Sequence, residues 1–569
     1  MKYAKLVDLY EYLENTPSRL SKTEGIAEFL RKSEKDVLGK IVLLIQGRIF
    51  PSYSEMEIGV ADKLMVKVIS SSTGFSDSEV IRTFKETGDL GLAVERLMGK
   101  KKQKTLISKE LEIEKVFENL QKLASVEGSG SQDVKMSLIR ELISNANPKE
   151  AKYIVRTVLE QLRIGVAEGV LRDSIAKAFF PGSSKEENKE IVKAIEWAWF
   201  VRPDYSEIVR IAKESGLKGL RKVSIEIGKP YHVLLADKAK DLKEAIEKFE
   251  RPSLEFKYDG ARVCIHKRGD KFWFFTRRLE NVTKQFPDLL KLAKRGVKAG
   301  ECIIEGEMLG VDGETGNPLP FQMLSQRIKR KYDIEKMSKE IPVQVNLFDV
   351  VFYNNEDLFS EPLEKRRRML EKIIKPVPGK FQLAERLITK DLAEAEKFYK
   401  RALKARQEGV IVKNLDAQYQ PGRRVGYWLK VKPIMETLDL VITGAEWGTG
   451  KRVKWMGSFT MSCRKGDKFL ECGMMGTGIK EKGEGVTFRE LTKQLKRYIE
   501  EETGKSVKIK PKIVVEVAYE EIQKSPNYSS GYALRFPRLI KIRVDKSPKD
   551  ADEVGRIEKL YRQQRGRKT

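Results

Sequence analysis

The hydrophobic pattern of this chain changes period twice, which limits it to three structural textures joined in series. Up to about residue 219, apolar residues recur at helical spacing, as in Leu6, Leu9, Tyr10 and Leu13, and in Leu38, Ile41, Val42 and Ile45 behind a candidate Ser33 cap. From Val223 onward they gather into short β-rich runs broken by Gly, Pro and Asp. Candidate strands are Leu254-Glu255-Phe256-Lys257, Arg262-Val263-Cys264-Ile265-His266, Phe272-Trp273-Phe274-Phe275-Thr276, Cys302-Ile303-Ile304-Glu305-Gly306-Glu307 and Val343-Gln344-Val345-Asn346-Leu347-Phe348-Asp349. Helical patterns intervene around Leu363 to Ile374 and Leu392 to Lys404. After Thr437, alternation such as Ser458-Phe459-Thr460-Met461-Ser462-Cys463 leads into the turn-forming Lys465-Gly466-Asp467. A multi-domain chain is expected, with an all-α segment 1–219, an α+β segment 220–429 with antiparallel sheets, and a small β-barrel of OB-fold type over 430–569. The tail Arg556-Ile557-Glu558-Lys559-Leu560-Tyr561-Arg562 has helical spacing and suits a docking helix between domains.

With 110 Lys+Arg against 83 Asp+Glu the formal charge is +27, so the natural partner is a polyanion. Nucleic acid fits best because no apolar stretch is long enough to span a membrane. Charge alone leaves a ribosome-associated or merely soluble basic protein open. The start Met1-Lys2-Tyr3-Ala4-Lys5 lacks the apolar core of a signal peptide, and a cytoplasmic location is expected. Cys264, Cys302, Cys463 and Cys472 have neither CxxC spacing nor histidine neighbours, which predicts buried free thiols. Abundant Lys and Glu with few cysteines point to a thermophilic source.

Lys257-Tyr258-Asp259-Gly260-Ala261-Arg262 sets a candidate nucleophilic amine beside an acid and an arginine. A lysine attacking a nucleotide α-phosphate must be neutral, whereas an ammonium of pKa about 10.4 is neutral about once in a few thousand molecules at pH 7. Apolar Phe256, cationic Arg262 and a divalent metal would each disfavour the ammonium, and Gly260 allows a close turn around a ligand. A strand end followed by an ordinary Asp-Gly turn explains the six residues equally well. The residues that follow weigh against that alternative: Arg277 and Arg278 end one strand, Glu307 another, and Glu408-Gly409-Val410-Ile411-Val412-Lys413 and Tyr427-Trp428-Leu429-Lys430-Val431-Lys432 supply further charges. Cations for phosphates, carboxylates for a hard metal and an aromatic face for a base are the needs of nucleotidyl transfer.

In the N-terminal segment, Glu127-Gly128-Ser129-Gly130-Ser131-Gln132-Asp133 reads either as a flexible linker or as backbone amides approaching a phosphate ahead of a helix around Met136 to Ile143. A second helix is expected to carry Tyr153-Ile154-Val155-Arg156 and Leu162-Arg163-Ile164-Gly165-Val166. Gly448-Thr449-Gly450-Lys451-Arg452 lacks the spacing and the Ser/Thr of a phosphate loop. Only His232 and His266 are present, against a histidine triad or a multi-histidine zinc site, and Arg327-Ile328-Lys329-Arg330-Lys331 is expected to be a solvated face, with contact to a DNA backbone the alternative.

Taken in order, these motifs resemble those of the covalent nucleotidyltransferases, and in particular ATP-dependent DNA ligases of archaeal type, over nearly the whole chain. The resemblance implies a helical DNA-binding domain (1–219), an adenylation domain (220–429) and an OB-fold domain (430–569). It implies ATP with Mg²⁺ (or Mn²⁺), AMP carried on Lys257 and nucleotide contacts from Glu255, Arg262, Arg277, Glu307, Phe348, Arg424, Lys430 and Lys432. Metal carboxylates would be Glu307, Glu408 and Asp259, although Asp259 reads equally as a turn former. Gly128, Ser129 and Arg163 resemble DNA contacts, and Arg538 in Arg535-Phe536-Pro537-Arg538, with Lys546, resembles the motif that orients pyrophosphate. The implied activity is nick sealing in double-stranded DNA during replication, repair and recombination, by a monomer, with Gln103-Lys104-Thr105-Leu106 a candidate sliding-clamp segment. Thr276 and Leu234-Leu235-Ala236 depart from the common pattern, at positions away from the implied chemistry. An RNA ligase or capping-type enzyme, or a non-catalytic DNA-binding clamp, are the competing readings.

Overall fold

Helix formation in the first part of the chain follows from local signals. Asn147 and Glu150 form a reciprocal capping box with Pro148 at the first helical position of Pro148–Val158. Tyr3–Asn15 buries Tyr3, Leu6, Leu9, Tyr10 and Leu13 on one face. Lys35–Ile45 buries the expected Leu38, Ile41, Val42 and Ile45, but its N-cap is Glu34. Ser33 instead ends the preceding helix Arg19–Lys32, with its hydroxyl donating to the Phe29 carbonyl at 2.7 Å. The computed structural model describes the chain except residues 101–109, 129, 331, 434, 449–451, 453 and 565–569. Gln103 to Leu106, Ser129, Lys331 and residues 449–451 therefore lie outside the described residues.

Two compact units result. One comprises Met1–Asp237, Gly260–Ala384 and Asn414–Trp428, and the other Lys238–Asp259, Glu385–Lys413 and Leu429–Thr569. In the first unit, the helices join a six-stranded sheet in the order Lys271–Thr276, Ala261–Arg268, Glu301–Gly310, Val343–Tyr353, Glu356–Asp357, with Phe381–Leu383 parallel to Val343–Tyr353. Its apolar face forms a core around Ile265, Phe274, Phe286, Ile304, Val345 and Phe381. Helix Lys185–Val201 ties to this half through Trp197, whose indole N–H donates to the Val223 carbonyl at 3.1 Å and whose ring meets Phe359 edge-on at 5.7 Å.

A five-stranded sheet begins the second unit, in the order Asp237–Lys238, Trp428–Val431, Gly409–Asn414, Pro252–Lys257, Arg386–Ile388. Helix Leu392–Lys404 covers it, with Phe398 4.9 Å from Phe256. The C-terminal β-rich part follows, built on the long strand Leu438–Trp447. That strand is shared end to end: Leu438 to Val441 pair with Val514–Ala518, and Gly444 to Glu446 with Ser506–Ile509.

Several expectations are corrected. Among the described residues, the C-terminal sheet does not close into a continuous barrel. The outer edge of Lys468–Met475 is met by the loop at Ser529 and Ser530, the Ser530 N–H donating to the Glu471 carbonyl at 3.1 Å. Glu521–Lys524 and Tyr532–Arg535 pair off as a separate hairpin, and a single bridge, Thr477 to Arg538, spans the seam. The closing helix Val554–Gln563 packs into its own core through Ile557 and Leu560 rather than between domains. Leu162 to Val166 form a loop, because a left-handed Glu160 ends the helix before them. Arg327 is buried, held by Asp288 and by the Ile341 carbonyl at 2.9 Å, so it is not part of a solvated face. All four cysteines are free and buried.

Candidate active site

Lys257 is the last residue of a central strand whose preceding residues are all buried. Its Nζ lies 3.0 Å from Glu408, which stands just before the neighbouring strand Gly409–Asn414. The Glu408 amide donates to the Lys257 carbonyl at 2.9 Å, so backbone and side chain both fix the pair. Lys432, just past Trp428–Val431, binds the same carboxylate and approaches Glu520 at 3.6 Å. Burial opposes ionisation of Glu408, but the Lys257 and Lys432 ammonium groups outweigh it and hold its carboxyl well below the usual range. Gly409 makes the approach possible: its φ is +143°, and a Cβ there would lie 2.2 Å from the Val431 carbonyl oxygen. Behind this cluster, Glu255 is buried and paired with buried Lys413 at 2.6 Å. Asp259 is buried, its amide donating to the Gln407 side chain at 3.2 Å, and Lys430 is half-buried with its carbonyl accepting from the Ala239 amide.

In the other unit, strands Ala261–Arg268 and Glu301–Gly310 set Arg262 opposite Glu307. Arg262 donates to the Leu234 carbonyl at 2.8 Å and to Glu305 at 2.5 Å, and its guanidinium stands 5.1 Å from both the Phe348 and Trp428 rings. Glu305 is wholly buried and also accepts from the Tyr231 and Tyr419 hydroxyls, each at 2.6 Å. Burial works against the Arg262 charge, yet Glu305 reverses the balance and raises its pKa. Burial and the nearby guanidinium groups of Arg262 and Arg424 lower the pKa of Arg277, with Glu307 opposing them. Arg262, Arg277, Arg424 and Glu307 therefore form one electrostatic group beside Phe348.

Gly260 has a different role from the one expected. Its backbone needs no left-handed conformation, but a Cβ would lie 2.3 Å from the Met308 carbonyl oxygen, so close strand approach requires the glycine. Glu305, Tyr231, Tyr419 and Lys413 were given no site role by sequence reasoning. Glu305 carried a signal, since it shares a strand face with Glu307 two residues on in an otherwise apolar run. The tyrosines carried none.

The remaining candidates lie in other parts of the fold. Gly128 has φ +91° just ahead of helix Ser131–Asn145, and the Ser131 amide donates to its carbonyl. Arg163, also left-handed, pairs with Asp89 at 3.3 Å. Arg538 is exposed at the start of Arg538–Ile542, while Lys546 is held by Asp439 at 2.6 Å, which also receives Arg543.

Amines sharing an ionised carboxylate in one unit, and arginines with a carboxylate and aromatic rings in the other, are the groups of nucleotidyl-transfer chemistry. Residues 233–432 match the model of the ATP dependent DNA ligase domain, 2–176 that of the DNA ligase N terminus, and 452–546 that of the ATP dependent DNA ligase C terminal region. The chain is 48% identical to the DNA ligase of Nanoarchaeum equitans over 100% of this chain and 99% of that protein. It is 44% identical to the DNA ligase of Thermococcus onnurineus over 99% of this chain and 98% of that one. The solved structure Pmar-Lig_PreS3 shares the fold, with a TM-score of 0.55 at 17% identity over 95% of this chain and 99% of that one. The chain belongs to the ATP-dependent DNA ligase family.

Proposed function

We propose that this chain seals nicks in double-stranded DNA in three transfers, serving replication, repair and recombination. Lys257 Nζ attacks the α-phosphorus of ATP, the bond to the β-phosphate oxygen breaks, pyrophosphate leaves and AMP remains on the lysine through a P–N bond. The 5′-phosphate at the nick attacks that phosphorus and frees Lys257. The adjacent 3′-hydroxyl then attacks the DNA 5′-phosphate and expels AMP. The observation that carries this reading is Lys257 Nζ at 3.0 Å from an ionised Glu408 that also binds Lys432. Attack requires Lys257 as the free amine, so its proton must leave first. Glu408, held ionised, is a poor acceptor for that proton, and solvent takes it.

The nucleotide contacts are Glu255, Arg262, Arg277, Glu307, Phe348, Arg424, Lys430 and Lys432, the cations neutralising phosphate oxygens and Phe348 facing the base. Among the described residues no three His, Cys, Asp or Glu side chains form a complete metal cage. Asp259 and Glu408 in one unit and Glu307 in the other are each candidate ligands of Mg²⁺ (or Mn²⁺), because magnesium takes one or two carboxylates and completes its octahedron with phosphate oxygens and water. Bound there, the ion would offset charge developing on the phosphates. Segment 1–219 grips the duplex through Gly128, Ser129 and Arg163, 220–429 carries adenylation, and 430–569 assists the first step through Arg538 and Lys546. The enzyme acts as a cytoplasmic monomer on nicked duplex, with Gln103 to Leu106 meeting a sliding clamp. Among the described residues no helix is long and apolar enough to cross a membrane.

Incubation with α-labelled ATP and Mg²⁺ tests the reading: label should remain on the protein, acid-labile and released by pyrophosphate. No label, or unchanged label in Lys257→Ala, refutes it.

A further inference from the structure

The loop 160–165 has three left-handed residues, Glu160 (φ 55°), Arg163 (φ 58°) and Gly165 (φ 67°). Two of them carry side chains, and such a backbone persists only where its surroundings over-determine it. Glu160 is explained by the helix end: its amide donates to the Thr157 carbonyl at 3.1 Å, and the Gln161 amide to the Arg156 carbonyl at 2.7 Å, the paired bonds of a Schellman turn.

The rest of the loop is held by two other elements. Lys22, in helix Arg19–Lys32, is 8% exposed and donates to the Ile164 carbonyl at 2.6 Å and the Gly165 carbonyl at 3.3 Å. Asp89 is buried and receives Arg163 at 3.3 Å and Arg156 at 3.1 Å. Arg156 is itself fixed by Glu14 at 2.9 Å, so Asp89 is held from behind. Leu162 and Ile164 point into the core, while the Arg163 side chain is 52% exposed. Basic side chains in this chain are the natural DNA contacts, yet Lys22 directs both of these bonds to the backbone of the loop, at Ile164 and Gly165.

We propose that Lys22 and Asp89 are positioning residues for DNA binding, which lock 160–165 so that Arg163 meets a phosphodiester backbone. This rests on the reading of Arg163 as a DNA contact. Lys22 lies beneath the loop, and its ammonium replaces the amide donors that a regular helix would have offered the Ile164 and Gly165 carbonyls. Gly165 is part of the lock, since a Cβ there would lie 2.7 Å from Lys22 Nζ.

The test is binding of the full-length protein to a nicked duplex across a salt series, with self-adenylation by ATP in the absence of DNA measured in parallel as a check on the fold. Arg163→Ala should bind about tenfold more weakly, as for one charge-assisted hydrogen bond, with a salt slope shallower by about 0.9. Lys22→Met should reproduce both changes while retaining self-adenylation, and Lys22→Met combined with Arg163→Ala should be no weaker than Arg163→Ala alone. If Arg163→Ala weakens binding and Lys22→Met does not, the positioning role is overturned and the DNA reading survives. Additive losses, each with its own change in slope, would make Lys22 a direct contact and also overturn the proposal. Unchanged binding in Arg163→Ala overturns the reading of the loop itself. Should Lys22→Met lose self-adenylation, Gly165→Ala decides by the same two criteria.

Discussion

Replacing Glu305 by glutamine isolates what holds Arg262 in place. The carboxylate is wholly buried and accepts from Arg262 at 2.5 Å and from Tyr231 and Tyr419 at 2.6 Å each. Glu305→Gln keeps the volume, removes the charge and turns an amide donor toward groups that are themselves donors. Breaking one side of a buried ion pair costs about 3–5 kcal/mol. In a unit of about 380 residues, at about 2.1 cal/mol/K of unfolding entropy each, about 1 kcal/mol moves Tm by about 1.3 °C, so a loss of about 4–6 °C is expected in the calorimetric transition of the unit bearing the six-stranded sheet. Most of this cost is an uncompensated guanidinium rather than lost packing. Arg262→Met added to Glu305→Gln should therefore recover stability relative to Glu305→Gln alone, even though it removes a proposed nucleotide contact. A shift under about 2 °C for the single variant, or a double variant less stable than the single, would refute the reasoning.

Three further outcomes follow from the same geometry. Gly409→Ala places a Cβ 2.2 Å from the Val431 carbonyl oxygen at φ +143°, displacing Glu408, and should cost about 1–3 kcal/mol and most self-adenylation; near wild-type labelling would contradict it. Burial pushes the pKa of His266 down to about 3 and that of His232 to about 4 from an ordinary 6.5, so below pH 6.5 the unfolded chain binds protons that the native one does not. Stability in the first unit should then fall by about 1.4 kcal/mol per pH unit for each histidine, and a denaturant midpoint that stays flat between pH 6.5 and 5 excludes it. Arg538→Ala should impair enzyme adenylation more than sealing of a pre-adenylated nick, which equal losses in the two assays would disprove.

Much of the architecture was legible because it depends on short-range pattern. The 3.6-residue stripe at Leu6 to Leu13 is decided by the burial of one face and the run ending at Lys257 by burial of both, and both stand where the local pattern puts them. The misplaced helix at Leu162 to Val166 shows what pattern cannot carry. Its end is set by a left-handed Glu160 with no glycine to announce it, and its loop is held by Lys22 and Asp89 from distant parts of the sequence. Barrel closure failed for a similar reason, since whether an edge meets a strand or the Ser529 loop depends on long-range placement. Arg327 was misjudged because a run of charges says nothing of the Asp288 that buries one of them. At the site, Lys257 and Arg262 were visible as a motif, whereas Tyr231 and Tyr419 come together only through folding.

Carboxylates explain how so basic a chain can bury some of its cations. Glu408 serves Lys257 and Lys432, Glu305 serves Arg262, Glu255 serves Lys413, and Asp89 serves Arg156. Each acid offsets the desolvation that an isolated buried cation would suffer, and each fixes the direction in which its partner points. Such a cation is weaker as a bare charge but, in the proposed role of phosphate ligand, would already be oriented, so little ordering entropy would be lost on binding. The formal excess of +27 is then carried mainly by the remaining exposed lysines and arginines, where sequence-independent attraction to a phosphodiester backbone requires it. Buried charge and surface charge would thus act differently in the proposed reaction: the first fixes the direction of individual side chains, and the second supplies salt-sensitive attraction to the duplex.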